Sequence, residues 1–156
     1  MTPSKNLEIH NMAGHLIRRL NQISTSVFQD RVKASGYDLT PVQFAALNAI
    51  YANPGIDQAS LAGLIAYDRA TIGGVVDRLE AKKFVLRKVS PRDRRARELS
   101  LSQAGETALG ALTPVVRAMQ ADMLAGLSAS ERSEFLRLAK KAADCGNDLS
   151  RAPLVR

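Results

Sequence analysis

The stretch "DQASLAGLIAYDRATIGGVVDRLEAKKFVLRKVSPRDRRARELSL", residues 57–101, packs three elements into immediate succession. Asp57 is placed to cap a short helix over "QASLAGLIA", and after the tight break "YD", Asp68 is placed to cap a second over "RATIGGVVDRLEAKK". In the second helix Ile72, Val75, Val76 and Leu79 fall on one face, which leaves Arg69, Thr71, Gly74, Arg78 and Lys82 toward the others. Alternating apolar residues follow, Val85 and Val89 around Arg87, then Leu99 and Leu101. That alternation predicts two strands joined by the arginine-rich loop between them.

Charge singles out the same hairpin. The chain carries a formal net charge of +7 over 156 residues. Lys82, Lys83, Arg87, Lys88, Arg92, Arg94, Arg95 and Arg97 face one acid, Asp93, within residues 82–97. Outside that window 14 basic residues balance 14 acidic ones, so the entire excess lies on the hairpin and the helix end before it. Charge concentrated in this way points to a polyanionic partner.

Helices flank this block on both sides. Leu16, Leu20, Ile23 and Val27 recur at helical spacing, with Ala13, Ile17 and Phe28 widening the stripe, and predict a helix from Leu7 to Lys33 closed by Gly36. "LTPVQ" starts another: Thr40 as N-cap, Pro41 in the first turn, Gln43 completing a capping box, with "NPG" at 53–55 as the stop. A helix over 104–125 contains Pro114, which is expected to kink it or to split off its first turns. "SASE", 128–131, opens a last helix through Phe135, Leu138 and Ala142.

Two short helices, a tight turn between them and a basic hairpin form the pattern of a winged helix-turn-helix. The fold class is therefore mainly α with a small β-hairpin wing. The second helix of such a unit lies in the major groove of duplex DNA, and the hairpin can deliver arginine to the adjacent minor groove. Asp93, a carboxylate among guanidiniums, is expected to turn inward and pair with Arg95 or Arg97, leaving Arg94 to project. Gly73 and Gly74 weaken a helix interior, which leaves two explanations open: tight packing on a neighbouring helix, or close approach of the backbone to DNA.

Other classes find little support. His10 and His15 sit about 140° apart around a helix, a poor metal-ligand spacing, and no phosphate loop or nucleophile–base pattern is present, so neither an enzyme nor a metal or cofactor site is expected. The lone Cys145 makes no intramolecular disulfide. No apolar run approaches a membrane span and the first residues lack a signal-peptide core, so no membrane partner and a cytoplasmic location are expected. A constitutive or architectural DNA-binding protein of the same fold, without a small-molecule effector, is the alternative reading.

"LTPVQFAALNAI", "DQASLAGLIAYDRATIGGVVDRLEAKKFV" and "SPRDRRARELSLSQAG" together resemble the MarR family of bacterial transcriptional regulators. The most specific part is Asp93-Arg94-Arg95 followed by "LSLSQAG", where the family usually has Leu-Thr-x-x-Gly. The resemblance implies a ligand-responsive repressor that binds palindromic operators as a homodimer. In that reading 1–36 and 103–150 form a helical dimerisation region, 37–102 the winged helix-turn-helix, and 151–156 a flexible tail. It implies that Arg69, Thr71, Arg78, Arg92, Arg94 and Arg95 face DNA, while Asp93 and Arg97 structure the wing. The run "GHLIRRLNQ", 14–22, combined with "LTPVQFAAL", resembles the subgroup of the family that answers small aromatic acids and includes repressors of nicotinic acid degradation, whose implied effector is a small aromatic acid such as 6-hydroxynicotinate. His15, Arg18 and Arg19 are the groups implied to meet its carboxylate. Their other reading is a dimer or surface role. Peroxide-sensing members carry a cysteine near the start of the chain, and the position of Cys145 disfavours that mode.

Overall fold

The computed structural model describes residues 7–156. Positions 1–6 of the 1–36 assignment lie outside them. The described residues form six α-helices and one antiparallel hairpin: α1 (Ala13–Ala34), α2 (Pro41–Ala52), α3 (Gln58–Leu64), α4 (Ile72–Ala81), β1 (Val85–Val89), β2 (Arg97–Leu101), α5 (Gln103–Met123) and α6 (Ala129–Cys145). The class is mainly helical with a small hairpin wing, a winged helix-turn-helix on a helical body.

The caps read from sequence hold these elements in place. Thr40 Oγ1 accepts from Gln43 N at 3.2 Å and Gln43 Oε1 accepts from Thr40 N at 3.1 Å, the reciprocal box that starts α2. Ser128 and Glu131 repeat it for α6. Gly36, at φ +83°, ends α1, with the Tyr37 amide bonded back to the Val32 carbonyl. Gly55, at φ +89°, turns the chain after α2 so that Ile56 makes a single antiparallel bridge to Leu99 of β2.

Three expectations are corrected. The first helix does not run unbroken from Leu7: a 3-10 turn, Glu8–Asn11, precedes α1, and Met12 between them is extended. Leu7, Ile9 and Met12 are exposed, so no packing reinforces helix there. Asp68 does not cap α4 directly, because its carboxylate accepts from Ala70 N two residues on, forming a turn that delays the helix to Ile72. Of the two outcomes expected at Pro114, the split is excluded, because α5 continues through it.

One core binds the lobe together. Ala46, Leu47 and Ile50 of α2, Leu61 and Ala62 of α3, and Ile72, Val75, Val76 and Leu79 of α4 are buried against Val85 and Leu99 of the hairpin. Phe28 and Val32 of α1 and Leu109, Leu112 and Met119 of α5 join the same cluster, so the body's two long helices root directly in the lobe. The "LSQAG" motif is explained where α5 begins. Ser102 N donates to the Phe84 carbonyl at 3.0 Å, and Ser102 Oγ caps Gly105 N at 3.0 Å. Gly105 lies so close to that carbonyl that any β-carbon would overlap its oxygen. By contrast α6 buries none of its residues, and the outer half of α1 exposes Leu16, Ile17, Leu20 and Ile23.

Candidate nucleic-acid interface

The recognition unit is α4 and the hairpin that follows it. Lys83 closes α4 in the left-handed region, at φ +61°, and its amide returns to the Glu80 carbonyl while Phe84 N returns to Leu79 O. The chain therefore turns sharply from α4 into β1. Register pairs Val85 with Leu101 and Arg87 with Leu99, so Arg87 shares the inward face with buried Val85 and Leu99. A guanidinium forced inward needs anions, and α4 supplies them: Arg87 Nη2 lies 2.5 Å from Asp77 Oδ1, and Arg87 Nε lies 3.3 Å from Glu80 Oε2. Lys82 is tied inward too, toward Asp38 and Gln43 Oε1. Two of the eight cations counted on the sequence thus hold the lobe together and neutralise acids on or beside the recognition helix.

The residues read as DNA-facing all lie outward, as do Lys83 and Lys88, which that reading left out. Arg69 is exposed on the turn before α4, Thr71 stands exposed at the N-cap just before it, and Arg78 is exposed two turns further on. Thr71 Oγ1 donates back to the Asp68 carbonyl at 3.3 Å. Arg92, Arg94 and Arg95 are exposed at the tip of the wing. Among the described residues no carboxylate lies within ion-pair distance of Arg69, Arg78 or these three arginines.

Hydrogen bonds to the backbone hold the wing tip rigid. Asp93 stays exposed instead of turning inward, and its partner is not a guanidinium: Oδ1 accepts the Arg95 backbone amide at 2.9 Å, while the Asp93 carbonyl accepts from Ala96 N. Arg97 Nη1 donates to the Arg94 carbonyl at 3.2 Å. Buried Ser90, which the sequence reading passed over, accepts from Arg92 N and donates to Glu98 Oε1 at 3.1 Å. A small hydroxyl next to a proline at the end of a strand was the available signal. The guanidiniums of Arg92, Arg94 and Arg95 are free because backbone groups, not arginine side chains, satisfy Asp93.

The glycines of α4 also resolve. A β-carbon on Gly74 would meet nothing within 4 Å, and one on Gly73 would make only ordinary contact with Gln58 Nε2 at 3.6 Å. Neither is required by packing within the chain.

His15, Arg18 and Arg19 sit together at the start of α1, outside the helix-and-wing unit. Arg18 Nη2 lies 3.4 Å from His15 Nδ1 and Arg18 Nη1 donates to Gln22 Oε1 at 3.2 Å, while the His10 ring lies 5.4 Å from that of His15. Desolvation first, then the charges of Arg18, His10 and Arg19, holds the His15 imidazole below its ordinary range and favours the neutral ring. The nearby groove of about 780 Å³ between α1, α5 and α6 is lined by Ile17, Leu20, Met123, Phe135 and Leu138, and does not include the trio.

A helix pair that presents an exposed basic helix beside a rigid arginine-tipped wing defines a winged helix-turn-helix DNA-binding regulator. Residues 39–96 match the MarR family. The transcriptional repressor NicR of Pseudomonas putida is 34% identical over 137 residues, covering 88% of this chain and 85% of its own. The chain belongs to the MarR family, and it is a DNA-binding regulator, not an enzyme. Among the described residues no group of three or more His, Cys, Asp or Glu is placed to hold a metal ion, and no helix is long and apolar enough to cross a membrane. PcaV of Streptomyces coelicolor, solved in complex with its natural ligand, superposes with a TM-score of 0.79 at 32% identity, covering 88% of this chain and 96% of that one. BpsR of Bordetella bronchiseptica, whose DNA binding is regulated by 6-hydroxynicotinic acid, superposes with a TM-score of 0.80 at 28% identity, covering 88% and 97%.

Proposed function

We propose that the chain is a homodimeric, ligand-responsive transcriptional repressor that binds palindromic operators and is released by a small aromatic carboxylic acid, with 6-hydroxynicotinate the leading candidate. The observation that carries the DNA part is the sorting of charge. Arg87 and Lys82 are consumed internally, and Arg69, Arg78, Arg92, Arg94 and Arg95 are left outward without carboxylate partners. The α4 face set by Thr71 and Gly74 takes the major groove, where an unobstructed backbone at Gly74 permits close approach. The wing arginines take the flanking minor groove, with Asp93 and Arg97 fixing their loop.

The exposed apolar faces of α1 and α6 support a homodimer, because together they form a patch that a second copy would cover. The effector reading rests on the likeness to NicR and BpsR and on the cationic trio at the start of α1. A neutral His15 beside Arg18 and Arg19 offers a hydrogen bond and two charges to an aromatic acid. To release DNA, that acid must favour the non-binding arrangement by several kcal/mol.

The test is a titration of a duplex taken from upstream of the protein's own coding sequence, at roughly physiological salt, where weak electrostatic binding is suppressed. Binding to that duplex and not to a scrambled one, relieved by saturating 6-hydroxynicotinate, is the expected result. Sequence-specific binding that ignores the acid removes the effector and leaves a constitutive DNA-binding protein. Replacing Arg94 by Ala should weaken binding and lower its salt slope by roughly one counterion unit per wing. An unchanged slope would take the wing out of the groove.

A further inference from the structure

The segment after α6 returns to the lobe. Asn147 grips the backbone of Leu154 on both sides: its Nδ2 donates to the Leu154 carbonyl at 3.0 Å and its Oδ1 accepts from Leu154 N at 2.8 Å. That grip presents Val155, whose amide donates to the Gly63 carbonyl of α3 at 2.9 Å. The Val155 side chain fills the place where a side chain on residue 63 would stand, since a β-carbon on Gly63 would lie 3.1 Å from Val155 Cβ and Cγ2. One residue on, Arg156 Nη2 pairs with Asp144 Oδ1 of α6 at 2.7 Å. The expected tail, 151–156, therefore makes specific bonds to both the body and the lobe.

The receiving site is suited to the strap. Ala66 ends α3 in the left-handed region at φ +52°, with Tyr67 N bonded to Ala62 O at 2.9 Å and Ala66 N to Gly63 O at 3.3 Å. Gly63 O is thus a terminal helix carbonyl with one long intrahelical bond, and Val155 gives it a shorter one. From Gly63 the chain passes through this turn directly to Arg69 and the start of α4. Val155, Arg156 and Arg69 line one cleft with Asp57 and Ser60.

We propose that Asn147 and Val155 are positioning residues for operator recognition, strapping the end of α6 to α3 so that the recognition helix keeps a fixed angle to the helical body. The proposal rests on the operator-binding reading above. Two lobes of a dimer must meet two half-sites at one spacing, and any free swing of a lobe is lost on binding. Within one copy α6 buries none of its own residues, so the strap supplies the fastening to that copy's lobe that its helical face does not. The strap fixes the lobe before DNA arrives.

The full chain, N147A, V155D and V155I are compared in two measurements. Amide exchange reads the strap without DNA: the wild-type amides of 154 and 155 should be protected, and N147A and V155D should lose that protection while retaining the dimer's mass and thermal transition. Duplex titration reads its use. N147A should bind the operator roughly three- to tenfold more weakly with an unchanged salt slope, because no phosphate contact is lost, and V155D, whose new carboxylate shares a cleft with Arg69, should bind at least as weakly. They should also lose preference for the native half-site spacing over one changed by a base pair, and V155I should restore it. Wild-type amides at 154 and 155 that exchange freely, or variants that keep the wild-type spacing preference, overturn the proposal. A wild-type chain that does not distinguish operator from scrambled duplex overturns the operator reading and this role with it, and the exchange measurement still reports separately whether the strap forms.

Discussion

The lobe and the body obey different rules of assembly. From α2 to β2 the chain finds its partners within itself: every element contributes a buried residue to one core, and even the arginine forced inward meets two carboxylates. The body does not close in this way. α1 enters the core only through its second half, at Phe28 and Val32, and α6 contributes nothing buried. The same hydrophobic spacing that packs α4 leaves Leu16, Leu20 and Leu138 facing outward. An amphipathic stripe records that a surface is to be covered, while the identity of the cover depends on what else the chain, or another copy, can supply.

Breaking the body without touching the lobe sharpens this contrast most. Leu20→Glu places a charge on the open apolar face, and sedimentation should show the assembly reduced to monomer while the lobe keeps its helical signal. Loss of the lobe's fold together with assembly would mean the two regions are one cooperative unit. The lobe has its own point of attack in Gly105→Ala. The added methyl meets the Phe84 carbonyl, and urea unfolding should register a loss of about 1–3 kcal/mol. A neutral result would mean that α5 can shift freely against the hairpin.

Smaller effects test the local signals. Asp57→Ala removes the bonds to Ser60 N and Oγ at the start of α3 and should cost about 1 kcal/mol. Those bonds, led by the Ser60 amide, hold the Asp57 carboxyl below its ordinary value of 3.8. Its contribution is therefore complete above that value and is lost as pH falls through the lowered folded one, so wild type and variant should converge in acid titrations of stability. The smallest change in stability has the opposite sign. Gly74→Ala gains helix propensity in open space and should raise stability by up to about 1 kcal/mol, yet weaken operator binding. A variant that gains stability and binds DNA as well as wild type would remove the backbone-approach argument.

Much of this architecture was legible because it is local. Thr40 and Gln43, Ser128 and Glu131, and the stripe from Ile72 to Leu79 each act within one or two turns, and each stands where the sequence put it. The errors came where a group had two local options. Asp68 could cap a helix or close a turn, and its carboxylate chose the amide of Ala70. Asp93 faced four guanidiniums and bonded a backbone amide instead. Contacts between elements were least visible. Arg87 and Asp77 are ten residues apart across a turn, so their pairing emerges only once β1 folds back on α4. The strap from Val155 to Gly63 joins positions with no shared pattern at all.

The corner at Lys83 and the clamp at Arg87 together turn helix and wing into the jaws of a caliper. Neither jaw opens without breaking the Asp77 and Glu80 pairs, so on the proposed docking, helix in the major groove and wing in the minor, the distance between the two contacts belongs to the protein. A duplex whose grooves do not fit that gauge has to bend or narrow until they do. Sequence then acts through stiffness as well as through base edges, at steps that no side chain touches.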